Sequence, residues 1–261
     1  MSGHDALGAR MKENYELRAR PLLPRRTYTV VRLDGKNFHS YTRHLERPFD
    51  VQLVVDMAET AQFLCQQVQG VRLAYVQSDE ISLILTDFAT PHTQAWFDGN
   101  QQKIVSISAS MATAKFNQLR PDKLAFFDSR AFTIPDPIEV ENYLIWRQKD
   151  AVRNSISMTA QSKFSPKQLH GKSTNEMQEM LFTEHGLNWN EYDPMLKRGT
   201  VVYPATQPAT VTYTDKRDDS TQTIEVERRV WKIAGAPIFT QERDWLAKHG
   251  LHRAPLEEAK A

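Results

Sequence analysis

The apolar and polar positions in the first half of the chain predict a regular succession of strands and helices. Near-helical spacing of Leu7, Met11 and Tyr15 predicts an N-terminal helix over about residues 6–20, which Pro21 ends. Four apolar runs of strand length and two longer periodic segments follow: strands over 29–35, 71–76, 81–85 and 131–134, helices over 51–69 and 100–116. The predicted order after the first helix is strand, helix, strand, strand, helix, strand.

The second half of the chain is predicted to be a mostly helical extension. Periodic apolar positions indicate a helix over 139–161, and Ser173 followed by Glu176 is typical of a helix N-terminus. A strand at 199–203 and alternating residues over 210–226 predict a hairpin, with its turn around Lys216, Arg217, Asp218 and Asp219. The polar end of the chain, from residue 243 onward, is expected to be loosely held.

The predicted order is that of a ferredoxin-like α+β sheet (βαββαβ), the architecture shared by polymerase palm domains and nucleotide cyclases. In such a sheet the first strand lies beside the central hairpin, so Asp34 and Asp79 are expected to meet at one end. Adjacent carboxylates can hold a pair of Mg²⁺ ions against a nucleoside triphosphate. Asp34-Gly35 and the hairpin tip could also be ordinary polar turns. The two together favour the metal site.

Composition and charge narrow the function classes further. A net charge of +1 over 261 residues excludes a protein that coats nucleic acid by overall charge, so such contacts require local basic clusters. One cysteine, Cys65, excludes an intrachain disulfide and a cysteine zinc site. No apolar run approaches the roughly 20 residues of a membrane span, and the N-terminus lacks a secretory pattern. We therefore expect a cytoplasmic protein with no membrane partner.

Five short strings, in matching order over about residues 25–203, resemble the tRNA-histidine guanylyltransferase superfamily. They are Val31 to Phe38, Ala74 to Glu80, Trp146 to Asp150, Asn175-Glu176 and Lys197 to Val201. The resemblance implies a polymerase-like palm that adds nucleotides to the 5′ end of tRNA, opposite to ordinary polymerisation. It also implies that residues 1–137 form the catalytic domain, that residues 138–261 contact RNA and complete the site, and that the protein is a homotetramer.

The resemblance assigns roles to individual residues. Asp34 and Asp79 would hold two Mg²⁺ ions with the carbonyl of Gly35, and Glu80 would assist near the metals. The residues expected to bind the nucleotide are Asp34, Gly35, Lys36, Asn37, Phe38, His39, Arg47, Asp50, Ser78, Asp79 and Lys103. Those expected to bind RNA are Arg147, Arg153, Asn154, Lys172, Lys197 and Arg198. Asp128 and Arg130 also match the family, without a specified role.

The chemistry implied by the resemblance is activation of the tRNA 5′ end with ATP or GTP, followed by attack of an incoming nucleotide's 3′-hydroxyl. Enzymes that add the extra guanylate of histidine tRNA carry a His-Ile-Asn-Asn string where this chain has Val152-Arg153-Asn154-Ser155. This departure favours template-directed repair of truncated tRNA 5′ ends over guanylate addition, which is the alternative. A purine nucleotide cyclase and a non-catalytic RNA-binding protein are more distant alternatives.

Overall fold

A computed structural model describes residues 6–214 and 221–249 and contains one six-stranded antiparallel sheet. Its strand order is β4-β1-β3-β2-β5-β6, of which the first four form the predicted ferredoxin-like palm. The predicted fold class and element order are therefore confirmed. The strands span Tyr28–Gly35 (β1), Val71–Gln77 (β2), Glu80–Leu85 (β3), Phe127–Ile134 (β4), Thr200–Thr214 (β5) and Thr221–Gly235 (β6).

Helices pack on both faces of this sheet. They span Ala6–Met11 (α1), Phe38–Tyr41 (α2), Val51–Gln67 (α3), Gln101–Leu119 (α4), Pro137–Gln161 (α5), Pro166–Leu169 (α6), Thr174–His185 (α7), Pro194–Arg198 (α8) and Arg243–Lys248 (α9). The predicted N-terminal helix continues beyond α1 as irregular helical turns to Ala19. Ser173 and Glu176 form the predicted capping box of α7. Within the described residues, no helix is both long and apolar enough to cross a membrane.

The period of two along each strand divides the sheet into two apolar faces. Val31 and Leu33 of β1 lie on the face covered by α3 and α4, whereas Tyr28 and Val30 lie on the face covered by α5. The same alternation places Asp34 on the α5 face, at the end of β1. The polar site is therefore built where this apolar face ends.

The C-terminal extension differs from the prediction in two respects. It supplies two long strands to the palm sheet, because Ala74, Tyr75 and Val76 of β2 pair with residues 200–202 of β5. The segment at 243–248 is also held firmly, since Leu246 is fully buried and Trp245 packs edge-on against Tyr203. The predicted turn at Lys216 to Asp219 and the end of the chain from residue 250 lie outside the described residues.

Candidate active site

The structure brings Asp34 and Asp79 together at one end of the sheet. Asp34 is the next-to-last residue of β1, in register with Glu80 of β3, and Asp79 lies in the two-residue turn between β2 and β3. The Gly35 amide donates to the Asp79 carbonyl at 3.1 Å, which ties the two chain segments directly. Burial raises the pKa of Asp79 to about 6, and the charge of Asp34 adds to this rise. The prediction that these carboxylates are neighbours is confirmed.

The loop after Asp34 is anchored by one aromatic side chain. Phe38 is buried and packs against Tyr41, Phe116 and Phe127, with ring centroids 4.8, 5.7 and 5.3 Å away. Asn37 adopts a left-handed backbone (φ 56°), which asparagine tolerates better than most residues. Lys36, Asn37 and His39 are exposed. The loop therefore presents its polar groups to solvent beside the carboxylates while its core side stays fixed.

A cavity of about 90 Å³ lies between the palm and the extension, next to the hairpin tip. Its lining comes from the hairpin tip, α3, α5 and α8, and includes Ser78, Asp50, Asn154 and Lys197. The Asp50 carboxylate caps α3 by accepting from the Leu53 amide at 2.7 Å. Four of the predicted site residues thus line one cavity, although the sequence placed Asn154 and Lys197 on a separate RNA-binding surface.

Two predicted residues form a buried ion pair. Arg147 donates from Nε and Nη2 to the two carboxylate oxygens of Glu80, each at 2.8 Å. Both residues are buried, with exposed fractions of 8% for Arg147 and 9% for Glu80. The assignment of Arg147 to the RNA-binding surface is therefore corrected, because its guanidinium points from α5 to Glu80 on the sheet and is buried there. Both carboxylate oxygens of Glu80 accept from Arg147, and its assisting role near the metals stays a prediction.

Lys103 is also placed differently from the prediction. The helix α4 runs antiparallel to β4, as shown by contacts of Gln101 with Ala131 and of Ser108 with Ser129. Lys103 lies in the first turn of α4, toward the end of the sheet opposite Asp34. Within one chain, the structure does not bring Lys103 to the two aspartates.

The remaining residues predicted to bind RNA fall into two groups. Arg153 and Lys172 have exposed side chains that each pair with a nearby acid, Asp150 and Glu176 respectively. Lys197 and Arg198 are half-buried, and their side chains bond to the carbonyls of Asn190 and Ala236. Arg47, predicted to contact nucleotide, is exposed.

Sequence reasoning missed Arg32. Cross-strand register places Asp128, Asp34 and Glu80 in one row of the α5 face, and Arg130, Arg32 and Ser82 in the next row. Arg32 is thus a cation beside the carboxylates. The alternation of β1 contained this signal, because Arg32 lies two positions before Asp34 and so shares its face.

The donor set fits Mg²⁺. Across residues 6–214 and 221–249, no three His, Cys, Asp or Glu side chains form a cluster able to hold a metal by themselves. Mg²⁺ is commonly held by one or two carboxylates together with substrate phosphates, and not by a cage of protein ligands alone. Asp34, Asp79 and the carbonyl of Gly35 match that pattern. Burial is the main cause of the raised pKa of Asp79, and the neighbouring charge of Asp34 adds to it.

We expect Asp79 to make the free energy of unfolding of the metal-free protein depend on pH. Because folding raises its pKa from 3.8 to about 6, the folded state holds a proton between these values that the unfolded state releases. The Asp79 contribution to the free energy of unfolding therefore falls as pH rises through this window and stays low above it. Asp79→Asn should stabilise the protein by about 1–2 kcal/mol at pH 7.5 and by much less at pH 4.5. Urea unfolding in EDTA measures this, and an equal effect at both pH values would contradict it.

Comparisons with known proteins agree with this geometry. Residues 8–135 match the family described as tRNAHis guanylyltransferase, and residues 138–237 match the Thg1 C terminal domain. The tRNA(His) guanylyltransferase of Eremothecium gossypii is 31% identical over 69% of this chain and 84% of its own. That of Debaryomyces hansenii is 28% identical over 84% of this chain and 91% of its own.

Solved structures extend the likeness to nearly the whole chain. A bacterial tRNA(His) guanylyltransferase (Thg1)-like protein in complex with ATP is 40% identical, with a TM-score of 0.80. The match covers 94% of this chain and 99% of that protein. The same kind of protein in complex with GTP gives a TM-score of 0.76 at 39% identity, with the same coverage. The chain therefore belongs to the tRNA(His) guanylyltransferase family and is a nucleotidyltransferase with a polymerase-like palm.

Proposed function

We propose that this chain adds nucleotides to the 5′ end of tRNA in the 3′-to-5′ direction. The observation that carries the proposal is the proximity of Asp34 and Asp79 at one end of the sheet, where Ser78, the residue before Asp79, lines a cavity formed by both halves of the chain. Two neighbouring carboxylates suit a pair of Mg²⁺ ions on a triphosphate, and apolar side chains such as Leu53 and Met158 line the cavity beside Ser78, as they do in many ligand sites. The two structural neighbours in complex with ATP and GTP support nucleoside triphosphates as substrates.

Separate sets of residues would bind the metals, the nucleotide and the RNA. Asp34, Asp79 and the Gly35 carbonyl would hold two Mg²⁺ ions, which would lower the pKa of the attacking hydroxyl and neutralise charge on the leaving group. Backbone amides of Asn37, Phe38 and His39 would bind the triphosphate, whereas the Lys36 amide already donates to the Phe126 carbonyl at 2.8 Å. Asp50 and Ser78 would contact the nucleoside in the cavity. Arg153 and Lys172, both exposed, would contact RNA phosphates.

The reaction has two steps. The tRNA 5′-monophosphate attacks ATP, so that AMP is transferred to it and pyrophosphate leaves. The 3′-hydroxyl of the incoming nucleotide then attacks the activated 5′-phosphorus, AMP leaves and the hydroxyl proton passes to solvent. A 5′-triphosphate end would lose pyrophosphate in the second step without prior activation. The homotetramer implied by the family resemblance stays a prediction.

Two tasks are compatible with this chemistry. The names of the curated relatives support guanylate addition to histidine tRNA better than template-directed repair. One feature of the chain favours repair: Val152 stands where the guanylate-adding enzymes carry the histidine of their His-Ile-Asn-Asn string. Asn154, the part of that string kept here, lies at the cavity and is available to a nucleotide. We propose repair on this ground and keep guanylate addition as the second candidate.

A panel of tRNAs separates the two tasks. We expect a tRNA lacking its first nucleotide to be extended with whichever nucleotide pairs with the opposite strand, for all four opposing bases. Product identity is read by primer extension or mass spectrometry, with intact tRNA as the control. Guanylate addition to intact histidine tRNA, independent of the opposing base, would establish the second candidate instead.

A further inference from the structure

The ion pair between Arg147 and Glu80 lies directly behind the hairpin tip that carries Asp79. Glu80 is the first residue of β3, and its side chain also accepts from the side-chain Nε2 of Gln77 at 3.3 Å. The two-residue turn of Ser78 and Asp79 is thus closed at its base by one buried polar cluster. Ser78 at the tip has a left-handed backbone (φ 49°), which is uncommon outside glycine and has to be held by its surroundings.

The guanidinium of Arg147 is itself oriented on two further sides. Its Nη2 also donates to Asp150 at 3.1 Å, and its Cζ lies 4.5 Å from the ring centroid of Trp146. A planar guanidinium that lies over a ring and donates to two carboxylates has little freedom to turn. The position of Glu80, and with it the start of β3, is therefore set from α5.

We propose that Arg147 is a positioning residue that acts through Glu80 to hold the Asp79 carboxylate in the geometry that binds Mg²⁺ and nucleotide. The proposal rests on the nucleotidyl transfer proposed above. It assigns no direct contact with RNA or nucleotide to Arg147, because its side chain is enclosed between α5 and the sheet. Small displacements of reacting groups reduce rates strongly, so a loosened turn would slow the reaction without altering the carboxylates themselves.

Hydrogen exchange in the metal-free protein tests the positioning directly. Arg147→Gln leaves the Glu80 charge without its bidentate partner, and we expect the amides of residues 78–80 to exchange at least about tenfold faster. Glu80→Gln, which keeps the side-chain shape, should give the same local increase. Arg147→Lys keeps one charged contact but not the two-pronged geometry, so it should fall between wild type and Arg147→Gln.

Kinetics and binding test how the effect is transmitted. For Arg147→Gln we expect the Mg²⁺ concentration at half-maximal GTP binding to rise about tenfold and kcat to fall about 100-fold, with the Kd for tRNA unchanged. Because both residues act through one contact, the double variant Arg147→Gln/Glu80→Gln should be no slower than either single variant. An unchanged tRNA affinity would separate this role from that of a phosphate-binding arginine.

An ion pair at the other end of β3, with a half-exposed arginine and a buried aspartate, provides the control. Arg25 donates to the buried Asp87 at 2.6 Å, just beyond the end of that strand. We expect Arg25→Gln and Arg147→Gln both to lower the melting temperature, but Arg25→Gln to leave the Mg²⁺ dependence and the exchange of residues 78–80 unchanged. If Arg147→Gln does not fold, Arg147→Lys and Glu80→Gln carry the same comparisons.

Three results would overturn the proposal. The first is a double variant whose loss of kcat is the product of the losses in the two single variants. The second is weaker tRNA binding with an unchanged kcat. The third is unchanged amide exchange at residues 78–80. Failure of the proposed function is recognised separately, since wild-type protein would then bind GTP with Mg²⁺ but extend no tRNA. The exchange and GTP-binding comparisons remain decisive in that case.

Discussion

Asp34→Asn and Asp79→Asn are each expected to lower the Mg²⁺-dependent rate of nucleotide addition by about 10³-fold or more. Each substitution keeps the shape of the side chain and removes the charge that binds the metal. Because both carboxylates serve one metal site, the loss of either removes the metal-dependent step. The double variant should therefore be no slower than either single variant. Single-turnover extension of a truncated tRNA measures the effect, with circular dichroism to verify folding.

Asp136→Asn is the matched control for these variants. Asp136 caps α5 by accepting from the Ile138 amide at 2.7 Å, and it lies beyond the end of the sheet opposite Asp34. Asparagine preserves such a cap, so stability and rate should both stay near wild type. More than a tenth of wild-type activity in either Asp34→Asn or Asp79→Asn would refute the metal assignment.

Gly35→Ala is expected to slow nucleotide addition by about 100-fold and to destabilise the protein by about 1–3 kcal/mol. An added Cβ would lie 2.2 Å from Cδ2 of Phe38, whose ring is buried. Tight packing around Phe38 prevents the ring from moving aside, so the loop carrying Lys36 and His39 must shift. The backbone of Gly35 is not left-handed, so the effect arises from this contact alone.

Gly186 provides a control that separates the steric effect of Gly35→Ala from the general cost of replacing a glycine by alanine. Gly186 ends α7 with φ 65°, and a Cβ there would meet no atom within 4 Å. Gly186→Ala should cost about 1 kcal/mol of stability through its backbone conformation, with an unchanged reaction rate. If Gly35→Ala added nucleotides as fast as Gly186→Ala, the position of the loop carrying Lys36 and His39 would not depend on the space at Gly35.

The palm and the aspartate pair could be predicted because local pattern determines them. Strand alternation, the Asp34-Gly35 turn and the short Ser78-Asp79 tip are all visible within a few residues, and the element order then fixes which strands are neighbours. The fold thereby brings Asp34 and Asp79, which are 45 positions apart in the sequence, into one site.

Arg147 was misassigned because its charge was given more weight than its position. Val140, Leu144, Arg147 and Ala151 follow helical spacing and form one buried stripe of α5. The charged residue therefore lies on the apolar face, and the acid that makes this possible, Glu80, is 67 positions away in the sequence. Long-range ion pairs of this kind cannot be derived from a single sequence.

The length of the C-terminal hairpin was underestimated for a different reason. Pro204 and Pro208 interrupt the apolar alternation, and proline usually argues against a strand interior. Beyond residue 202, however, β5 pairs only with β6, so a nitrogen on its other side needs no partner. The prolines are tolerated because one side of this part of β5 is open.

The position of β5 beside β2 has a consequence for how the protein is made. Tyr75 of β2 donates to the carbonyl of Arg198, 123 positions later, immediately before β5. During synthesis the apolar edge of β2 therefore stays unpaired until most of the chain has left the ribosome. Closure of the palm by so distant a strand is expected to be a late and slow folding step, during which nascent chains are vulnerable to association through that edge.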